Sequence, residues 1–397
     1  MKKNLSYLID GKISTYQVFQ PYDPVLCDFS DTLSKTLRSL KETKKYPDIL
    51  TFAFWCRRAN IKRLKRNFNS SEKRLGLGLI FHITPSNVPV NFAYSFIFGL
   101  LSGNANVVRV PSTEYKQTEI IVSAIKKVLK DNKFKEIKNM NSFIKYEKDD
   151  EITSYFSSFC DGRIIWGGDQ TVLSVRKIPV PVKAIEISFP DRYSFCLINL
   201  KSFSQLDKDN VKKLAQNFYN DTFLMDQNAC SSPHLVIWLG NMKHPEELKS
   251  LFWSVLEKIV RQQYELPAIK VVDKYSKLLS DVMSAKDVET KFKNYGNFIY
   301  RMKLNSIPVH IDELKGKYGF FYEAQIKSME HMTNFINSKY QTLTYLGFQK
   351  EELEDFVIKN RLSGIDRIVP VGQALDIDII WDGYDLAKSL SRIIDVR

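Results

Sequence analysis

Residues 75–108 read LGLGLIFHITPSNVPVNFAYSFIFGLLSGNANVV and contain no Asp, Glu, Lys or Arg. A membrane hairpin is the first reading to test, and it fails on length. The longest clean apolar run, residues 96–101, falls far short of the roughly 20 residues a spanning helix needs. Pro85, Asn87, Pro89 and Asn91 also break the middle. The stretch parses instead as a buried strand (77–83), a polar Pro-bounded turn (84–89) and an apolar helix (92–101). A Gly-Asn turn (103–106) and a second buried strand (107–110) follow. A βαβ unit without charge predicts a parallel sheet covered on both faces. Such sheets bind ligands beyond the C-terminal ends of their strands. Asn87 sits in that turn, beside a helix N-terminus.

Working outward, the same alternation continues. The run TEIIVSAIKKVL (118–129) puts Ile120, Ile121, Ala124, Ile125, Val128 and Leu129 on one helical face. A strand (163–166), a Gly-Gly turn and a helix start follow, and KAIEISFP (183–190) reads as another strand. Residues 14–19 carry strand signals, and polar helices run from there to about 70. In the second half come a strand (234–240), a helix (245–260) and helical or mixed sequence to about 300. Strands dominate again in GFFYEAQI (319–326), QTLTYLGF (341–348) and GIDRIVPVG (364–372). The pattern predicts an α/β protein of two doubly wound lobes with a cleft between them. The expected divisions are 1–70, an α/β domain at 71–190, a second α/β domain at 191–370 that carries Cys230, and a C-terminal strand and helix at 371–397.

Composition narrows the class. At 397 residues, 44% hydrophobic and 26% charged, the chain is an ordinary globular protein with room for two or three cores. MKKNLSYLIDGK has a basic start but no sustained apolar region, so no secretory signal is expected. The five cysteines are scattered without a CxxC pair, and the five histidines lack metal-ligand spacing. Neither a metal site nor a disulfide framework is expected, and a reducing cytoplasm fits. The net charge of +13 suits nucleic acid, phosphate-rich cofactors or an acidic protein partner. The densest basic run, RRANIKRLKRNF (57–68), has Ile61, Leu64 and Phe68 at helical spacing. It reads as a solvated helix face and argues against nucleic acid.

The stretch DQNACSSP (226–233) carries the candidate chemistry. An amphipathic run (211–223) precedes it and an apolar run (234–240) follows. Cys230 is therefore expected on a tight polar connection between a helix and a buried strand. A nucleophilic thiol needs access and nearby donors, and Ala229, Ser231 and Ser232 leave room for an incoming carbonyl. A buried structural thiol at a strand entrance is the competing reading. Cys27, Cys56, Cys160 and Cys196 sit in apolar or helical contexts and read as structural.

The run GLIFHITPSNVPVNFAYSFIFGLLSGNANVVRVPS, the turn WGGD (166–169), DQNACSSP and the tail GIDRIVPVGQALDIDIIWDGYDL (364–386) together resemble the LuxC-type fatty-acid (acyl-CoA) reductases. That family belongs to the aldehyde dehydrogenase superfamily, and the resemblance spans residues 71–397. It implies an aldehyde dehydrogenase-like fold and reduction of an acyl thioester, an acyl-CoA or acyl-protein, to a fatty aldehyde with NADPH. It implies that Cys230 is the nucleophile that carries the acyl group. Asn87 then donates to the oxyanion together with the Cys230 backbone N–H. Thr84, Pro85 and Ser86 are implied as cofactor contacts in the first turn, and Gly167, Gly168 and Asp169 in the second. Arg109 matches a lysine that contacts the cofactor. Ser112 falls where NAD-preferring relatives carry a glutamate, and this pair of differences favours NADPH.

Glu186 is implied as a third catalytic residue, although KAIEIS departs from the superfamily's Glu-Leu-Gly-Gly pattern. It could activate water, shuttle a proton, or be a strand residue at a solvent edge. His234, four residues after Cys230, leaves a Cys–His dyad open. Two further activities stay in view: an aldehyde dehydrogenase running toward acid, and a cysteine acyltransferase without redox chemistry. The resemblance also implies an acyl-carrier or acyl-protein synthetase partner and a homo-oligomer, with the tail from residue 376 as a candidate element for crossing to a second subunit.

Overall fold

The charge-free stretch folds as a strand, a turn, a helix and a parallel strand. In this computed structural model, residues 4–11, 13, 16–68, 72–284 and 288–397 are described. The chain divides into two units: residues up to Pro190 with Ile379–Arg397, and Asp191–Asp378.

The first unit runs β1 (Ser6–Ile9), α1 (Pro24–Ser39), α2 (Pro47–Trp55), α3 (Arg58–Phe68), β2 (Arg74–Gly76), β3 (Leu79–Ile83), α4 (Asn91–Leu101), β4 (Ala105–Arg109), α5 (Lys116–Val128), α6 (Lys135–Asn139), β5 (Asn141–Lys145), α7 (Asp150–Ser157), β6 (Gly162–Trp166), α8 (Asp169–Arg176) and β7 (Ile185–Phe189). Its sheet has the order β1-β5-β4-β3-β6-β7, parallel except for β1. Both β3 and α4 are buried along nearly their whole length, which explains the missing charge. The order reverses at β3. The chain steps outward through β4 and β5, then returns to lay β6 on the other side of β3.

Among its described residues, the strand expected at 14–19 does not form. The edge strand is β1 at Ser6–Ile9, residues 16–20 are irregular, and residues 14 and 15 lie outside the described residues. The backbone of Phe19 instead crosses the α4–β4 turn, with its N–H on the Gly103 carbonyl at 2.9 Å. Gly103 has φ +91°, and a Cβ there would lie 2.2 Å from the Phe19 carbonyl oxygen, so only glycine fits the crossing.

One buried polar chain ties this unit together. The Trp166 indole N–H donates to Ser95 Oγ (2.9 Å), which lies 2.8 Å from His82 Nδ1. His82 Nε2 meets Asn106 Oδ1 at 2.9 Å, and Asn106 Nδ2 donates to Asn141 Oδ1 at 2.7 Å. The network assigns His82 as the neutral Nε2–H tautomer. Burial agrees, holding the His82 pKa down to about 4. The chain joins β6, α4, β3, β4 and β5.

The second unit runs β8 (Tyr193–Asn199), α9 (Leu200–Ser204), α10 (Lys208–Thr222), β9 (Leu235–Leu239), α11 (Pro245–Gln263), α12 (Ala268–Ser284), β10 (Val288–Tyr295), β11 (Ile299–Leu304), β12 (Phe320–Ile326), β13 (Tyr340–Leu346), α13 (Lys350–Lys359) and β14 (Arg367–Pro370). Its sheet has the order β10-β11-β12-β9-β8-β13-β14, parallel except for β10. One apolar core lies on each face. Phe218, Trp253 and Leu256 lead on one, and Leu278, Leu353 and Phe356 on the other, so the sheet is doubly wound.

The tail adds β15 (Ile380–Trp381), β16 (Tyr384–Asp385), α14 (Leu386–Ser389) and β17 (Ser391–Ile393). Expected as a candidate for crossing to a second subunit, it closes on its own chain. Strand β17 pairs antiparallel with β2, and Asn104 Nδ2 donates to the Leu390 carbonyl at 2.8 Å. Among the described residues, no helix is long and apolar enough to cross a membrane.

Candidate active site

The second unit presents the thiol. Cys230 is half-buried on the connection that leads into β9, at the N-terminal edge of the parallel sheet. Three side chains hold that connection. Ser194 donates to the Cys230 carbonyl (2.6 Å) while accepting the Thr342 N–H (3.1 Å). Ser232 donates to the Asp221 carbonyl at 2.7 Å. The buried Gln227 amide donates to the carbonyls of Pro233 (3.0 Å) and Phe320 (3.1 Å), and its oxygen accepts the Gly319 N–H (3.0 Å). Gln227 thus closes the loop around Cys230 from residue 227 to residue 233. It does so in the left-handed region, at φ +61°, next to Asp226 at φ +54°. Such backbone costs about 1 kcal/mol per residue. Here hydrogen bonds offset it: Asp226 is gripped by the Tyr264 hydroxyl (2.5 Å) and Lys270 (2.7 Å).

The other four thiols are poor nucleophiles. Burial pushes the Cys196 pKa to about 12, those of Cys27 and Cys160 to about 11, and that of Cys56 well above its ordinary value. His234 has its own backbone partner. It is buried, its Nδ1–H is taken by the Gly316 carbonyl at 3.0 Å, and burial with Lys315 nearby holds its pKa down to about 3.

The first unit gathers the predicted cofactor residues at one sheet edge. Thr84, Pro85, Ser86 and Asn87 follow β3, Arg109 ends β4 with Ser112 just beyond it, and Gly167, Gly168 and Asp169 follow β6. Strands β3 and β6 are the neighbours at which the order reverses, the position where open parallel sheets take nucleotides. Thr84 Oγ1 donates to the Arg109 carbonyl (2.6 Å), locking two of these loops together. The Arg109 guanidinium lies 4.5 Å from the Tyr146 ring centroid and donates to the Tyr146 carbonyl at 3.3 Å. Asn87 is exposed and does not cap α4, whose N-cap is Val90. Among the described residues its amide has no hydrogen-bond partner. Gly168 caps α8 in extended backbone, and a Cβ there would meet nothing within 4 Å. Neither glycine of this turn has a positive φ; Gly168 leaves open space, whereas a Cβ on Gly167 would lie 3.0 Å from the Thr171 side chain.

Glu186 differs from the other predicted residues. It lies on β7, and both carboxylate oxygens are engaged. Oε2 accepts from Arg163 Nε (2.8 Å) and Nη2 (2.5 Å), and Oε1 accepts from Arg176 Nε (2.9 Å). Arg163 is itself buried at 2% side-chain exposure.

A family model described as acyl-CoA reductase (LuxC) matches residues 22–393. This chain belongs to that family. No curated protein matches it. Solved structures add the fold. A variant of Thermus thermophilus 1-pyrroline-5-carboxylate dehydrogenase superposes with a TM-score of 0.63 at 10% identity, covering 96% of this chain and 82% of that one. An NAD-dependent benzaldehyde dehydrogenase from Corynebacterium glutamicum gives 0.57 at 11%, covering 92% and 84%. A variant of Bradyrhizobium japonicum proline utilization A gives 0.63 at 12%, covering 93% of this chain but 42% of that longer one. This LuxC family member therefore has the aldehyde dehydrogenase fold on a sequence far from those structures.

Sequence reasoning missed Gln227, Ser194 and Asp221 as supports of the thiol in this LuxC chain. Gln227 stood inside the quoted motif. Ser194 gave no signal, because its partners are 36 and 148 residues away.

Proposed function

We propose that the chain reduces a long-chain acyl thioester to a fatty aldehyde with NADPH, through an acyl group carried on Cys230. The observation that carries this reading is the loop at 226–233, which holds the half-buried Cys230 at a strand entrance. Cys230 attacks the thioester carbonyl, and the bond from that carbon to the carrier sulfur breaks. The carrier leaves with the proton, and the acyl group stays on Cys230. When bound, a reduced nicotinamide supplies the hydride that converts this thioester to aldehyde. Breaking the carbon–sulfur bond and taking up one proton then restores the Cys230 thiol.

Asn87 and the Cys230 backbone N–H donate to the oxygen that gains charge in both stages, a contribution of about 3 kcal/mol for one such donor. Arg109 and Ser112 suit a 2′-phosphate: one offers a cation, and the other puts no carboxylate against it. Gly168 and the α8 N-terminus offer backbone N–H groups to a pyrophosphate. Asp169, in the first turn of α8, adds negative charge there, which leaves Arg109 as the principal cation. The Arg163 and Arg176 contacts favour a supporting role for Glu186 over that of a base that would hydrolyse the acyl-enzyme. The net charge of +13 suits an acidic acyl-carrying protein as donor, and a reactive thiol suits a reducing cytoplasm.

The test is to mix the protein with a series of acyl-CoAs and either NADPH or NADH, following nicotinamide absorbance and aldehyde. NADPH consumption that Cys230→Ala abolishes supports the reading. An adduct on Cys230 that neither nicotinamide discharges would move the function to acyl transfer. Reduction of NADP⁺ by aldehyde without any thiol carrier would move it to an aldehyde dehydrogenase.

A further inference from the structure

Helix α12 buries a lysine completely. Lys274 has no exposed surface, and an ammonium left there without partners would be very costly. An ammonium has three donors and no acceptor. All three are used, on the carbonyls of Asn297 (2.5 Å), Phe298 (3.0 Å) and Tyr318 (2.9 Å). The charge also lies 4.6 Å from the Tyr300 ring centroid. Asn297 and Phe298 stand in the turn before β11, and Tyr318 stands in the loop before β12. No neutral side chain fans three donors from one atom. One lysine thus fastens two separate chain reversals to one helix.

The Tyr318 end of this fastening leads to the thiol. Tyr318 and Gly319 are both left-handed, at φ +55° and +88°. They present their N–H groups to the Cys230 loop. Tyr318 N–H donates to the Asp226 carbonyl (3.3 Å), and Gly319 N–H donates to the Gln227 side-chain oxygen (3.0 Å). Gln227 in turn donates to the Pro233 and Phe320 carbonyls and closes the loop. Gly319 has no room to adjust. A Cβ there would lie 2.5 Å from the Phe298 carbonyl oxygen, the same oxygen that Lys274 holds. Lys270, one turn earlier on α12, reaches Asp226 itself at 2.7 Å. Helix α12 therefore holds the loop at two points, directly through Lys270 and by way of the 318–319 turn through Lys274.

We propose that Lys274 is a positioning residue for Cys230, acting through the 318–319 turn and Gln227; the proposal rests on the reading of Cys230 as the nucleophile. Without the ammonium, the Tyr318 carbonyl is released, the turn relaxes and Gln227 loses the Gly319 N–H. Burial brings the Lys274 pKa down to about 7, so the number of donors changes in the neutral range. The neutral amine keeps two N–H groups for three carbonyls. The titratable and charged groups packed around it are Tyr300, Tyr318, Arg261 over the Phe298 ring, and Asp226 with Lys270 and Tyr264. On its own helix are Tyr275 and the Lys277–Asp281 pair, with Tyr322 on Asp281. Burial pushes Tyr264, Tyr300 and Tyr322 up, away from this range.

The test is the iodoacetamide rate at Cys230, located by peptide mass and divided by the thiolate present. Ultraviolet absorbance against Cys230→Ala gives the thiolate. Below pH 7, Lys274→Met should lower this rate about tenfold. It should lower kcat with acyl-CoA by a similar factor and leave the KM for NADPH unchanged. Lys274→Gln, which keeps two donors, should fall between. In the wild type the corrected rate should fall as the pH rises through 7, and Lys274→Met should abolish that fall. Asp221 is also brought to about 7, and its carbonyl accepts from Ser232. The fall should therefore survive in Asp221→Asn, and its disappearance there overturns the proposal. So does a Lys274→Met chain, folded by thermal melt, that keeps the wild-type rate or the pH dependence. Should Lys274→Met not fold, the same readings on Lys274→Gln decide. Acyl-CoA reduction that persists in Cys230→Ala would overturn the nucleophile itself and, with it, this role of Lys274, whatever the alkylation rates show.

Discussion

The loop around Cys230 and the turn around Asn87 are built in opposite ways. In the loop, Gln227, Ser194 and Ser232 spend their polar atoms on backbone, and the left-handed Asp226 is gripped from two sides. In the turn, Ser86 and Asn87 are exposed, and the Asn87 amide has no partner among the described residues. A thiol that must meet a carbonyl in one geometry gains from being held in place beforehand. A donor for a charge that exists only during reaction gains from being unengaged until then. Substitutions in the two regions should therefore separate: stability moves with the loop, and rate moves with the turn.

The sharpest break in the comparison is Asn87→Ala. Loss of one oxyanion donor should lower kcat about 10²–10³-fold, with the melting temperature nearly unchanged, because the amide holds nothing in the fold. Steady-state kinetics beside a thermal melt checks both halves. Glu186→Gln should do the converse. Removing the charge that partners the buried Arg163 should cost about 3 kcal/mol in urea unfolding, while kcat falls less than about tenfold, short of a general base's contribution. A loss of several-hundredfold with stability intact would make Glu186 a catalytic base. Ser194→Ala leaves the Cys230 carbonyl and the Thr342 N–H without their hydroxyl partner. It should cost about 1–3 kcal/mol of stability and slow alkylation of Cys230, read as a fall in the iodoacetamide rate.

A further prediction is a pH slope. Burial outweighs the Gly372 and Ala374 N–H bonds and pushes the Asp221 pKa up from 3.8 to about 7. A carboxyl whose pKa is raised by folding contributes stability that is complete below its unfolded value. That contribution is lost as the pH rises through its folded value. The wild type should therefore lose stability between about pH 4 and pH 7 relative to Asp221→Asn. His82 and His234, held down to about 4 and about 3, act with the opposite sign and destabilise as the pH falls below 6.5. Urea midpoints across this range, in wild type and Asp221→Asn, separate the two slopes.

What the sequence made legible follows from range. The absence of charge over 75–108 is a local signal, and it yielded β3, α4, β4 and the turn that bears Asn87 within a residue or two. The placement of Cys230 on a connection was legible because a polar motif interrupts a helix and a buried strand. The ion pairs of Glu186 were not, because they depend on Arg163, which the parallel β6–β7 register sets beside it. The edge strand was misplaced for a similar reason. Residues 16–19 have strand composition, but the Gly103 turn captures their backbone. Helix α12, read from sequence only as helical or mixed, keeps its lysines on the side that faces the protein.

The most direct measurement of the central claim is intact and peptide mass after mixing the protein with a long-chain acyl-CoA in the absence of nicotinamide, followed by NADPH. The account predicts one acyl group, located on Cys230, that NADPH discharges as fatty aldehyde. Acylation at another residue, or an acyl-Cys230 that NADPH leaves in place or releases as free acid, would contradict it.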